Sequence, residues 1–167
     1  MEQKRVLVAG VFDLFSLCHM RVLEKLKSDP SNYVIVGVYD DETTQENKIL
    51  TVMTGYERSE NLKHTRFVDE IIYPCPFVLS QEFLQKHNID VVMSENFDDR
   101  HREIQAKFQT LDHLDGTSTN DIIARVLNEY DEYCERSLSR GYAYNELGLK
   151  ELDAKCLFLR LGHKKIR

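Results

Sequence analysis

Apolar positions in this chain fall into short dense runs separated by longer amphipathic stretches. RVLVA (5–9) and YVIVGVY (33–39) are continuous aliphatic runs, the pattern of strands buried on both faces. Between them, HMRVLEKLK (19–27) sets Met20, Leu23 and Leu26 near helical spacing, and SDPSN stops the helix. GYERSENLKHTRFVDEII (55–72) predicts a helix running into a short third strand around DEIIY. SQEFLQKHN (80–88) opens on Ser80 as an N-cap with Glu82 in its first turn, and leads to a fourth strand, IDVVM (89–93). The segment 94–116 is polar, with a helical tendency in its middle, and TSTNDIIARVLNEYDEYCERSL (117–138) predicts one long helix with a hydroxyl-rich start. Strand–helix alternation of this kind predicts an α/β fold, a Rossmann-like doubly wound parallel sheet with a C-terminal helical tail. The expected boundaries are 1–142 for the main domain and 143–167 for the tail. Such sheets bind ligands at the carboxyl ends of their strands, where the topology reverses.

Composition narrows the class. With 167 residues, 42% of them hydrophobic and 30% charged, the chain is long enough to bury a proper core. A net charge of −6 argues against a general phosphate-backbone binder, and no nucleic acid partner is expected. No run approaches the roughly 20 apolar residues of a membrane span, and no signal peptide is evident at the N-terminus. The basic end RLGHKKIR is only a weak membrane signal. Cys18, Cys75, Cys134 and Cys156 are widely spaced and fit no metal site, so they read as reduced thiols and the expected location is cytoplasmic.

The candidate chemistry gathers at three places. Gly10, Val11, Phe12 and Asp13 follow the first strand, with His19 at the start of the next helix. Lys48 lies in NKILTVM, after the second strand. Gly116, Thr117, Ser118 and Thr119 open the 117–138 helix, where free N–H groups and hydroxyls favour anions. A histidine, a lysine and such a helix start suit a triphosphate. Taken alone, Asp13 is as well explained as a cap on the helix that follows, and Thr117–Asn120 as an N-cap cluster.

These pieces resemble the cytidylyltransferases of the nucleotidyltransferase superfamily, and most of all the choline-phosphate branch. GVFDLF (10–15), YVIVGVYDDE (33–42), TVM (51–53), RFVDEII (66–72), EFLQKHNIDVV (82–92) and STNDIIARV (118–126) match in order and spacing. YDEYCERSLSRGY (130–142) matches a run typical of the choline branch and argues against a glycerol branch. The resemblance implies transfer of cytidylyl from CTP to phosphocholine, giving CDP-choline and pyrophosphate by direct in-line attack, with magnesium accompanying the nucleotide. His19 and Lys48 would be the catalytic pair. Asp13, Arg58 and Ser118–Thr119 also match ligand-site positions, and a homodimer is implied. The chain ends before the long amphipathic regulatory helix of the family, so activity independent of lipid is expected.

Two signatures depart from the family. Its H-x-G-H reads Ser16-Leu17-Cys18-His19 here, with Ser16 in place of a histidine and Cys18 in place of a glycine. Its R-T-x-G-I-S-T reads His113 through Thr119, with His113 in place of a forked arginine. Losing two phosphate donors at about 2–4 kcal/mol each slows chemistry roughly 10²-fold or more apiece. In the choline pocket, Phe77 stands for a tryptophan and Glu95 for an aspartate, both keeping part of the contact with a cation. The alternatives are therefore a degenerate member that binds nucleotide or acts as a dimeric interaction protein, and a phosphoethanolamine enzyme.

Overall fold

The computed structural model of the chain describes residues 3–94, 104, 107–111 and 116–164. Two compact units are present, residues 1–119 and 120–167. In the first, strands β1 (Lys4–Gly10), β2 (Asn32–Val38), β3 (Glu70–Ile72), β4 (Val91–Ser94) and β5 (Phe108–Thr110) form one sheet in the order β3-β2-β1-β4-β5. Every pairing is parallel; Val6 is registered with Val34 on one side and with Val91 on the other. The chain starts in the middle of the sheet, builds β2 and β3 to one side, then crosses to β4 and β5. The reversal falls between β1 and β4.

Alternation along the two central strands divides the core. Val6, Val8, Val34, Val36 and Val38 face one side, where they pack with Leu23, Leu26 and Leu62. Leu23 and Leu26 lie on α1 (Leu17–Lys27) and Leu62 on α3 (Gly55–Lys63). Leu7 and Ile35 face the other side with Leu84 of α4 (Gln81–Lys86), Leu79 and Ile89. Each such side chain, fully buried, contributes roughly 1.5–3 kcal/mol of transfer free energy. Ser80 caps α4 as expected, its hydroxyl accepting the Phe83 N–H at 3.2 Å. The carboxylate of Asp69 ties the far edge together, accepting from Lys27 Nζ at 2.5 Å and from the Val34 amide at 2.7 Å.

Two elements differ from the hydrophobic pattern. A short helix, α2 (Asp41–Glu46), follows β2, capped by Asp40, whose carboxylate accepts the Thr43 N–H at 2.8 Å. Residues 108–110, in the second half of the polar segment, form a strand. In the second unit the expected single helix is two, α5 (Thr119–Asn128) and α6 (Tyr130–Ser139), divided at Glu129. That residue has φ −102° and ψ 6°, outside the helical well. A 3-10 turn (Tyr144–Leu147) leads to α7 (Glu151–Lys164). Cys134, Leu138 and Leu157 form the small core of this unit. Among the described residues no helix is long and apolar enough to cross a membrane.

Candidate functional site

The loop after β1 carries the site, and its backbone is strained. Phe12, Leu14 and Phe15 have φ of 55°, 54° and 39°, in the left-handed region that costs non-glycine residues roughly 1–3 kcal/mol each. Four ties offset that cost. Phe12 is buried against the core. The Arg58 Nη1 donates to the Val11 carbonyl at 2.7 Å. The Thr119 hydroxyl donates to the Asp13 carbonyl at 2.8 Å. Both oxygens of the buried Asp13 carboxylate accept backbone amides, Val52 at 2.8 Å and Met53 at 3.0 Å. Asp13 therefore anchors the loop that carries Lys48, rather than capping the helix after it.

Arg58 is fully buried and extends the same framework. Beyond Val11 it reaches the Met53 carbonyl through Nε at 3.2 Å and the Asp41 carboxylate through Nη2 at 3.2 Å. Asp41 in turn accepts the Gly55 amide at 2.7 Å. Every described contact of Arg58 is thus with the protein's own backbone or carboxylate. It holds the two loops in register.

At the carboxyl ends of β1 and β4, the topological switch point, lies a cavity of about 410 Å³. Gly10, Val11, Phe12, His19 and Ser118 line it, joined by Cys18. Its remaining walls, which the sequence did not single out, include Val22, Met93, Ser94 and Leu111. His19 sits in the first turn of α1. Its Nδ1 is 3.1 Å from both the Ser16 amide and the Ser16 hydroxyl, and its ring tilts against Phe12 with centroids 5.2 Å apart. Burial lowers the His19 pKa, and the charge of Asp13 pulls the other way more weakly. The neutral imidazole is therefore favoured near pH 7.

Ser16, 2% exposed, turns its hydroxyl to His19. Cys18 donates its amide to the Thr117 carbonyl at 3.4 Å, which joins the first signature to the second. Gly116 completes that contact: a Cβ there would stand 3.2 Å from the Cys18 sulfur and 3.3 Å from its nitrogen. Lys48 is exposed on its loop at φ 57°, outside the cavity wall, four residues before the Asp13 anchor. Phe77 is half-buried against Tyr39, ring centroids 5.1 Å apart, beyond the end of β2. Glu95 and His113 lie outside the described residues.

A parallel sheet in this strand order, with a cavity at its switch point walled by a strained loop and a histidine, defines an α/β protein whose cavity lies where sheets of this class take their ligands. The chain belongs to the cytidylyltransferase-like family, whose profile matches residues 7–112. It is 39% identical over 175 residues to choline-phosphate cytidylyltransferase 2 of Arabidopsis thaliana, covering 98% of this chain and 57% of the relative. It is 40% identical over 158 residues to the choline-phosphate cytidylyltransferase of Saccharomyces cerevisiae, covering 89% of this chain and 37% of the relative. The chain thus spans about half or less of the length of these relatives. Among solved structures, a lipopolysaccharide core biosynthesis protein from Thermoplasma volcanium GSS1 superimposes with a TM-score of 0.54, at 19% identity, over 67% of this chain and 98% of that one. That likeness establishes the fold alone.

Proposed function

We propose that the chain is a cytidylyltransferase for a phosphorylated amino alcohol, with CTP and phosphocholine as substrates and CDP-choline and pyrophosphate as products. The observation that carries this reading is the His19-walled cavity at the β1/β4 switch point, in a chain 39–40% identical to choline-phosphate cytidylyltransferases. A phosphate oxygen of phosphocholine attacks the α-phosphorus of CTP, and the bond from that phosphorus to the β-phosphate oxygen breaks. No covalent intermediate is needed, so positioning and charge neutralisation carry the rate. His19 donates from a neutral ring to a phosphate oxygen, Ser118 and the 116–119 backbone cradle the triphosphate, and Lys48 closes from its loop as a mobile point charge. Phe77 and Glu95 are the proposed contacts of the choline cation.

Magnesium fits as a companion of the nucleotide. Among the described residues no group of three or more His, Cys, Asp and Glu is arranged to hold a metal ion, and both Asp13 oxygens are engaged by amides. Magnesium would arrive with the nucleotide and supply charge neutralisation at its phosphates, and no step here depends on a protein metal site. The four free cysteines fit a cytoplasmic protein, and the run 66–70 is the proposed contact of a homodimer.

One observation favours a second reading, nucleotide binding without turnover. Ser16 is buried and directed at His19, so it offers the phosphates little, and Cys18 fills space against Gly116. Pure protein incubated with CTP, magnesium and phosphocholine, and in parallel with phosphoethanolamine, separates the readings by pyrophosphate release. Turnover with phosphocholine supports the enzyme. No product above background, with CTP binding retained by calorimetry, overturns it in favour of the second reading.

A further inference from the structure

We propose that Ser16 is a positioning residue for His19, holding the imidazole in the tautomer whose proton is on Nε2. The inference rests on the proposed function for its purpose, since it concerns how the cavity histidine meets a phosphate. Its geometry stands apart from that function. The Ser16 backbone N–H lies 3.1 Å from His19 Nδ1, and a backbone N–H can only donate. Nδ1 is therefore the acceptor, and the single proton of the neutral ring belongs to Nε2. The Ser16 hydroxyl, also 3.1 Å from Nδ1, adds a second donor to the same lone pair. Phe12 closes off one side of the ring with a tilted contact.

The arrangement converts a loss into a constraint. Ser16 replaces a residue that would itself reach toward the phosphates, and its own side chain is withdrawn from the cavity. What it supplies instead is order in the remaining histidine. The amide of residue 16 occupies the N-cap position of α1, and His19 fills the place three residues on where a glutamate commonly reaches back to the cap N–H. Protonating Nδ1 would set a third hydrogen against the two donors of Ser16, so the same contact resists the charged ring. Asp13 is the charged group that faces the imidazole, and it favours the charged form. Among the described residues that line the same cavity, Cys18 is the one further titratable side chain.

The test is nitrogen NMR on the whole chain labelled at histidine, with the His19 signals assigned by their loss in His19→Gln. Near neutral pH the expected pattern is an unprotonated Nδ1 and a protonated Nε2. The opposite tautomer, or fast averaging of the two, overturns the proposal. Ser16→Ala keeps the amide and removes the hydroxyl, so His19 is expected to titrate at higher pH than in the unaltered protein, and Ser16→Thr to restore it. An unchanged titration in Ser16→Ala overturns the role of the side chain. None of these measurements needs CTP. If CTP fails to bind while the Nε2 tautomer is found, the proposed function falls and the positioning role stands.

Discussion

Asp13 commits both carboxylate oxygens to the amides of Val52 and Met53, and this decides what the residue is for. Asp13→Asn puts an NH₂ group against one of two backbone donors in a buried place, which costs about 1–3 kcal/mol. We expect it to lower the urea midpoint and to weaken CTP binding through the Lys48 loop, with calorimetry and denaturation read on the same preparation. His19 gives a prediction in pH. Burial lowers its pKa in the folded chain, while the unfolded chain takes up the proton near the ordinary value of about 6.5. Below that value the unfolded state binds more protons, so stability is full above it and falls as the pH drops toward the folded pKa. Urea midpoints from about pH 7.5 to about pH 5.5 should fall more for the unaltered protein than for His19→Gln. Equal slopes would remove His19 as the cause. The sequence marked these residues as candidates, but it did not carry the contacts they make. Asp13 and Arg58 matched ligand positions in the sequence, yet each is bonded to backbone 39 or more positions away in the chain, which no local pattern records.

At the scale of elements, β2 packs tightly against the segment after β3. A Cβ on Gly37 would stand 2.5 Å from the Cys75 sulfur and 3.4 Å from the Ala9 Cβ. Burial pushes the Cys75 thiol up to about 12, so it stays protonated and acts as an apolar filler. Gly37→Ala should therefore destabilise the protein by about 1–3 kcal/mol through overpacking. Cys75→Ala added to it should recover much of that loss; a double-mutant cycle with no coupling would show that the clash relaxes elsewhere. The central strands were legible because continuous valine and isoleucine runs leave little alternative when both faces are covered. Helix α2 was not, since DETTQE has no apolar period and forms from the Asp40 cap and its own polar bonds. Strand β5 was hidden because three residues with one half-buried side chain, Phe108, carry no alternation. The break at Glu129 has no glycine or proline to announce it.

The whole first unit is organised so that two distant signatures meet at one sheet edge, and a repair of the site has to respect that meeting. Ser16 is almost fully buried, so Ser16→His alone forces a ring into filled space, at a cost of about 1–3 kcal/mol. Cys18 bonds the Thr117 carbonyl and touches Gly116, so its thiol occupies the seam between the signatures. Cys18→Gly opens that seam, and His113→Arg returns a forked cation to the second signature. The three changes belong together, since each returns one residue of the two family signatures, and the third adds a guanidinium that is charged at any working pH. Pyrophosphate release by the triple variant should exceed that of the unaltered protein by about 10²-fold or more, while Ser16→His alone should gain nothing and melt earlier. If the triple variant folds, binds CTP and turns over no faster, missing phosphate donors are not what limits this site. The limit would then lie with the amino alcohol, at Phe77 and Glu95, where binding of phosphocholine alone can be measured.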